Sequence, residues 1–120
     1  MDRGDDRLQR MALRRGDIVI VTQGELGRPR PVVIVQADEL GETTTTVLAC
    51  PITSLLTDRL PARPTLHADA RTGLQVPSQI MTDKLFAARR DRIRRTIGKL
   101  DAPTFEQLDQ ALLIVLGLAR

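Results

Sequence analysis

Residues 15–37 read RGDIVIVTQGELGRPRPVVIVQA, and this stretch determines the fold class. Asp17–Thr22 is β-branched, apolar and bounded by glycines, which predicts a strand. Val32–Ala37 has the same character and predicts a second strand. Between them, Gln23–Pro31 contains two glycines and two prolines, which predicts a loop.

Downstream of this stretch, the sequence predicts further short strands. They cover Thr43–Ala49, which Cys50-Pro51 closes, and then Thr65–Ala68, Gln79–Lys84 and Arg94–Lys99. Five or six short strands separated by turns favour a compact antiparallel sheet or a small barrel. A chain of 120 residues corresponds to one domain. We expect a flexible tail over residues 1–12 and one folded domain over 13–120.

The C-terminal segment predicts a helix. Asp101 can cap it and Pro103 suits its first turn. One face is apolar, and the second half is apolar on the other side too: Leu108, Ala111, Leu112, Val115 and Leu118, then Leu113, Ile114 and Leu116. Such a helix is either buried in the core or packed against a partner, and full burial is difficult in so small a domain. We therefore expect a homodimer.

The charge distribution suits a polyanionic partner. The chain carries a net charge of +3, but residues 83–99 alone carry +5 and the remainder −2. A basic segment on a mildly acidic body suits nucleic acid or an acidic protein segment, although such runs are often only solvated faces. The only aromatic residues are Phe86 and Phe105, so base stacking on aromatic side chains is nearly unavailable.

Composition excludes several other classes of protein. A single cysteine, Cys50, and a single histidine, His67, exclude an internal disulfide and a multi-histidine or cysteine-rich metal centre. We expect no metal and no cofactor. The longest apolar run, Ala111–Ala119, is nine residues long, whereas a bilayer-spanning helix needs about 20. The charged N-terminus does not resemble a secretion signal, so we expect a reduced cytoplasmic location without membrane attachment.

Three separated motifs indicate a family when they are considered together: RGDIVIV (15–21), GRPRPVVIVQ (27–36) and CPITS (50–54). They are followed by PSQIMTDKL (77–85) and by IGKLD with the terminal helix. In this order and spacing they resemble the MazF/PemK family, the toxins of toxin–antitoxin pairs, over about residues 14–118. The resemblance implies a mainly β fold, a small SH3-like antiparallel β-barrel with a C-terminal helix that works as a homodimer.

The resemblance also implies an activity and partners. Members of the family cleave single-stranded RNA, usually messenger RNA, at short sequence motifs without a metal. The 2′-hydroxyl attacks the adjacent phosphate and leaves a 2′,3′-cyclic phosphate and a 5′-hydroxyl. A cognate antitoxin with an acidic disordered tail is expected to neutralise the toxin.

By matching motif positions, the resemblance implies site residues. Arg30 in R-P-V-V is similar to the family's catalytic arginine and Thr53 in P-I-T-S to its catalytic threonine. Glu25 is similar to an acidic residue near the site. We expect a further set of polar and basic residues to contact RNA: Arg28, Ser54, Lys84, Arg89, Arg90, Arg92 and Arg94.

The chemistry of these residue types fits such roles. The guanidinium of Arg30 can hold two phosphate oxygens and stabilise the charge of a pentacoordinate transition state, but it stays protonated and is a poor general base. The hydroxyl of Thr53 can donate to the phosphate or merely cap a turn. Glu25 can accept the 2′-hydroxyl proton or stay solvated in its loop. His67 lies away from the motifs, and Cys50 is expected to be a buried, unreactive thiol.

Two other functions remain open at this stage. The same fold serves CcdB-type toxins, which poison DNA gyrase, and a small barrel can bind nucleic acid without catalysis. The pair Arg30 and Thr53 discriminates, because it belongs to the ribonuclease branch. The loop Gln23–Arg30 is shorter than in many relatives, so the RNA sequence preference is expected to differ from theirs.

Overall fold

The structure, a computed structural model, describes residues 12–23, 27–60 and 62–119. The described chain is mainly β and ends in a helix, α1, at Ala102–Val115. The strands are β1 Asp17–Gln23, β2 Arg28–Ile34, β3 Thr46–Thr53, β4 Thr65–Leu66, β5 Ser78–Ile80, β6 Phe86–Arg89 and β7 Ile93–Lys99. Single turns of 3₁₀ helix cover Asp38–Leu40, Thr82–Lys84 and Arg90–Arg92. Of the predicted tail, only Ala12 lies within the described residues.

All strand pairs are antiparallel, and β1 lies between β2 and β7. β3 pairs with β2. It also pairs with β6 over Thr46–Ala49 and with β5 over Ile52–Thr53, and β5 pairs with β4. The sheet curls into a half-barrel. This confirms the predicted fold class, a small antiparallel barrel-like sheet with a C-terminal helix.

Both faces of the central strands are buried, which explains their continuous apolar sequence. Ile18 and Val33 belong to a core that includes Leu108 of α1. Val19 and Val32 belong to a second core, whose other members come from β1, β2, β3, β6 and β7: Val21, Ile34, Val47, Ala49, Ala88 and Ile93. Successive residues of a strand point to opposite faces, so one apolar run supplies both cores.

Two strand boundaries differ from the prediction because of proline. β2 begins at Arg28 rather than at Val32, and β3 continues through Pro51 to Thr53. The pairing of β2 with β3 begins only at Val32, so the prolines of β2 lie where β1 is its only neighbour. Pro51 lies opposite Val32 of β2, at the point where the other partner of β3 changes from β6 to β5.

Two further predictions need correction in the second half of the chain. The expected strand Gln79–Lys84 ends at Ile80 and is followed by a 3₁₀ turn, Thr82–Lys84. The strand β6 at Phe86–Arg89 was not predicted, because its sequence FAAR has neither β-branched residues nor a clear alternation.

The helix begins as predicted, but its C-terminal end, after Leu112, does not pack on the core. The Asp101 side chain accepts a hydrogen bond from the Thr104 backbone N–H at 2.9 Å. Leu108 and Ala111 are buried, whereas Ile114 is 52% and Leu118 71% exposed. The apolar end of α1 is thus uncovered within one chain. No helix in the described ranges is long and apolar enough to span a membrane.

Candidate active site

A cavity of about 730 Å³ opens where β2 begins and β3 ends. Val32 lies opposite Pro51, so continuing this antiparallel register by two residues brings Arg30 level with Thr53. Both residues line the cavity, together with Ser54. The rest of the lining comes from β1, β2, β3, β5, β7, the residues that follow β3 and β5, and the segment before β5: Ile20, Pro31, Pro51, Ile52, Leu55, Gly73, Leu74, Gln75, Val76, Ser78, Met81, Arg95 and Ile97.

Strand pairing and the neighbouring prolines fix the backbone of Arg30, whereas its side chain is available to bind a ligand. It pairs with Val21 in the β1–β2 ladder, and Pro29 and Pro31 restrict the backbone on both sides. The residue is exposed, and within the described part of the chain its guanidinium has neither a hydrogen bond nor an ion pair. Its donors are therefore available to an anion that enters the cavity.

Thr53 is oriented by the turn that follows it. Its Oγ1 accepts a hydrogen bond from the Leu55 backbone N–H at 3.0 Å. A hydroxyl has one proton and two lone pairs, so the Thr53 proton remains available for donation. The turn-capping role and a phosphate-binding role are thus compatible in this geometry.

Arg95, which was not among the predicted site residues, also lines the cavity. Ile20 of β1 lies opposite both Pro31 and Arg95, so Arg95 is two strand spacings, about 10 Å, from β2. Among the lining residues of the described chain, Arg30 and Arg95 are the only charged ones. The cavity therefore carries positive charge against largely apolar walls.

One of these walls is a segment that lies directly on β7. Gly73 has φ +71°, and a Cβ there would be 2.1 Å from the Ile97 carbonyl oxygen. A Cβ at Gly98 would be 2.3 Å from the Arg71 carbonyl oxygen. Only glycine permits so close an approach. The two glycines thereby bring Leu74 and Val76 to the cavity.

The sequence comparisons agree with this geometry. A model of the family described as PemK-like, MazF-like toxin of type II toxin–antitoxin system matches residues 14–116. The chain belongs to this family. It is 34% identical over 109 residues to a probable endoribonuclease MazF of Mycolicibacterium smegmatis, covering 89% of this chain and 99% of the relative. It is 31% identical over 116 residues to endoribonuclease MazF9 of Mycobacterium tuberculosis, covering 88% and 98%.

Solved structures show the same fold. The Mycobacterium tuberculosis toxin MazF-mt6 superimposes with a TM-score of 0.74 at 26% identity, over 87% of this chain and 99% of that one. An endoribonuclease in complex with its cognate antitoxin, from a mycobacterial species, gives a TM-score of 0.74 at 19% identity over 92% and 98%. The predicted recognition as a MazF/PemK toxin is confirmed, and so, at the level of the family, is the prediction of an endoribonuclease.

Three other predicted RNA contacts of this MazF-family chain, Arg28, Arg92 and Arg94, lie near the C-terminal end of β1, whereas Lys84 lies on a separate 3₁₀ turn. Arg28 is exposed and pairs with Gln23 at the start of β2. Arg94 is exposed and its Nη2 donates to Thr22 Oγ1 at 3.3 Å. The same Thr22 hydroxyl is 3.4 Å from the Arg92 carbonyl oxygen. Lys84 is exposed on its 3₁₀ turn, outside the cavity lining.

Arg90 differs most from its prediction as an RNA contact. It is only 8% exposed, and its Nε and Nη2 donate to the carbonyl oxygens of Thr44 and Gly41 at 2.6 and 3.0 Å. The guanidinium is thus engaged in holding the segment before β3. Arg89 is exposed and pairs with Asp91 at 2.6 Å. It lies opposite Thr46, about 23 Å along β3 from Thr53.

Cys50 and His67 are not among the described residues that line the cavity. Burial raises the pKa of the Cys50 thiol to about 12, so the thiol stays protonated at neutral pH. His67 is exposed, and its carbonyl oxygen accepts from Thr72 Oγ1 at 2.7 Å. Glu25, the third predicted catalytic residue, lies outside the described residues.

Proposed function

We propose that the protein is a cytoplasmic toxin that cleaves single-stranded RNA, chiefly messenger RNA, at a short sequence motif without a metal ion. One observation carries the proposal. Arg30 and Thr53 come from two separate sequence motifs and line one cavity, whose charged lining residues in the described chain are both arginines. Such a cavity attracts a phosphate and repels a metal cation.

In this mechanism the RNA supplies its own nucleophile. The 2′-hydroxyl is already next to the phosphate that it attacks, which gives the advantage of proximity. The O2′–P bond forms as the P–O5′ bond breaks, and the departing 5′-oxygen takes a proton from water, which leaves a 2′,3′-cyclic phosphate and a 5′-hydroxyl. Arg30 holds the non-bridging oxygens and stabilises their growing charge, and the Thr53 hydroxyl donates to the same group.

Proton transfer needs a further residue, since a guanidinium does not accept protons at neutral pH. We assign the 2′-hydroxyl proton to Glu25, which precedes Arg30 by five positions in the sequence. A nearby guanidinium would keep such a carboxylate ionised and able to accept a proton.

The cavity is large enough for a nucleotide and not only for a phosphate. Its volume of about 730 Å³ lies within the range of roughly 300–1,000 Å³ of ligand pockets. The apolar wall of Leu74, Val76 and Ile97 suits the face of a base in the absence of aromatic side chains. Ser54 lies in the cavity, and we propose that Arg28, Arg92, Arg94, Lys84 and Arg89 contact the RNA outside it.

The partners follow from charge and apolar surface. An acidic, disordered antitoxin segment is proposed to cover the two cavity arginines and compete with RNA. A second copy of the chain is proposed to cover the exposed end of α1, where Leu116 is 52% and Leu118 71% exposed. Light scattering at tens of micromolar should give the mass of a dimer, and a monomer would contradict this part of the proposal.

The decisive test is the chemistry of the products. Purified protein is incubated with RNA in excess EDTA and the fragment ends are mapped, with Arg30→Ala as the control for contaminating nucleases. We expect cleavage at a fixed motif with 2′,3′-cyclic phosphate and 5′-hydroxyl ends. A requirement for added magnesium, or ends with a 5′-phosphate, would overturn the mechanism. Binding without cleavage would favour a non-catalytic barrel.

A further inference from the structure

The side chain of Gln79 connects β5 with the loop that follows Thr53. In the β3–β5 pairing, Gln79 lies opposite Thr53. Its Oε1 accepts from the Thr57 backbone N–H at 3.1 Å, and its Nε2 donates to the Thr57 carbonyl oxygen at 2.9 Å. One side-chain amide therefore satisfies both backbone groups of Thr57, as a neighbouring strand would.

The loop over residues 54–60 is held by hydrogen bonds rather than by packing. Leu55, the residue whose N–H orients the Thr53 hydroxyl, is 81% exposed, and Leu56 is 55% exposed. Thr57 Oγ1 accepts from the Arg59 backbone N–H at 3.2 Å. The two bonds from Gln79 join this small network to the sheet.

The far end of the loop has a separate anchor. Arg63 forms two hydrogen bonds with Asp83, at 2.9 and 3.1 Å, and its side chain is only 8% exposed. This contact holds the pKa of Asp83 below its ordinary value of 3.8. The Thr82 hydroxyl also donates to the Ala62 carbonyl oxygen. Between this anchor and Thr53, the Gln79 amide ties the described residues of the loop to β5.

We propose that Gln79 is a positioning residue for Thr53. By fixing Thr57, the amide keeps the Leu55 N–H on Thr53 Oγ1, so the hydroxyl proton stays directed to the bound phosphate. This inference rests on the proposed function, because it assigns Gln79 an effect on RNA cleavage through Thr53. An unanchored loop leaves Arg30 and the wall formed by Leu74, Val76 and Ile97 in place but loosens the Thr53 hydroxyl.

Gln79→Leu removes both hydrogen bonds and keeps similar bulk. We expect the single-turnover cleavage rate to fall about 10- to 100-fold, the cost typical of a small misplacement of reacting groups. The Kd for RNA should change less than about threefold, since neither cavity arginine is touched. Hydrogen exchange at the Thr57 amide should accelerate.

The matched control is Gln36→Leu. Gln36 makes the same kind of contact, its Oε1 accepting from the Leu48 backbone N–H at 3.2 Å, but on the earlier half of β3 and outside the cavity lining. This variant should cleave RNA within about twofold of the wild-type rate. A loss equal to that of Gln79→Leu would show a general effect of weakening β3 and overturn the proposal.

A double-mutant cycle with Thr53→Ala separates this proposal from the proposed function. If Gln79 acts through Thr53, adding Gln79→Leu to Thr53→Ala should cost less than about twofold further. Additive losses would overturn the role of Gln79 and leave Thr53 as a catalytic residue. A Thr53→Ala variant with the wild-type rate would overturn both.

A second variant covers the case in which Gln79→Leu does not fold. Gln79→Glu keeps the acceptor for the Thr57 N–H and loses the donor to the Thr57 carbonyl. The second carboxylate oxygen then faces the Thr57 carbonyl oxygen and repels it, so we expect the loop to loosen and the rate to fall, with the loss again absent in the Thr53→Ala background. A wild-type rate for Gln79→Glu with an exposed Thr57 amide would contradict the proposal.

Discussion

The two ends of β3 use arginine in opposite ways. At the Thr46 end, Arg90 is buried and donates to two backbone carbonyls, and Arg89 pairs with Asp91. At the Thr53 end, Arg30 and Arg95 line the cavity, and within the described ranges neither has an ion pair. A count of positive charges therefore does not reveal which guanidiniums are available to RNA. Their hydrogen-bond partners do.

The difference follows from what surrounds each end. The Gly41 and Thr44 carbonyls, which lie outside the strand ladders before β3, accept hydrogen bonds from the Arg90 guanidinium. This guanidinium is buried and therefore requires such acceptors. At the other end, the backbone of Thr57 is satisfied by the amide of Gln79. The two cavity arginines, Arg30 and Arg95, are therefore not needed as donors to that backbone, and the cavity keeps their positive charge.

The largest expected effect is that of Arg30→Ala. Removing a donor that stabilises the transition state should slow single-turnover cleavage by about 10²–10³-fold. The matched control is Arg14→Ala, which removes an exposed arginine that lines the same surface pocket as Val47 and Arg90, near the Thr46 end, and should leave the rate within about twofold. Equal losses from the two variants would erase the distinction between the two ends.

Arg90→Ala should act on stability instead of on cleavage. It removes two charge-assisted hydrogen bonds made by a buried side chain, so the free energy of unfolding should fall by about 2 kcal/mol. Urea unfolding measures this loss, and the cleavage rate of the folded protein should stay within about threefold of wild type. Unchanged stability with weakened RNA binding would instead place Arg90 on the RNA surface.

Arg95→Ala should have the smallest effect of the three, mainly on affinity. Losing one phosphate contact should reduce the slope of log K against log salt by about 0.7 for a single strand. We expect the Kd to rise about tenfold, with a smaller loss of rate at saturating RNA than in Arg30→Ala. A rate loss as large as that of Arg30→Ala would make Arg95 a catalytic residue.

The two ends of β3 also differ in how well sequence alone predicts them. The apolar runs of β1 and β2 predict the central strands, and the motifs around Arg30 and Thr53 predict two residues that line the same cavity. The burial of Arg90 could not be predicted, because it depends on carbonyls that a distant loop presents. The continuation of β3 past Pro51 depends on its change of partner from β6 to β5.

The position of Arg95 also escaped prediction for a physical reason. Simple alternation along a strand would show which of Arg94 and Arg95 shares a face with Ile20. However, the β1–β7 register shifts between Ile20 and Val21, so Arg94 falls within an irregularity of the ladder. Such bulges redirect side chains and are common next to active sites. The contact between Gln79 and the loop was not predicted either, because its partner Thr57 lies 22 residues away in the sequence.

The central claim is that the Thr53 end of β3 cleaves RNA through the 2′-hydroxyl of the substrate. The most direct measurement replaces the single nucleotide 5′ of the scissile bond by its 2′-deoxy form and follows cleavage at that bond. The account predicts that cleavage there disappears while the Kd stays within about twofold. Cleavage of the deoxy-substituted strand at the rate of the unmodified RNA would contradict it.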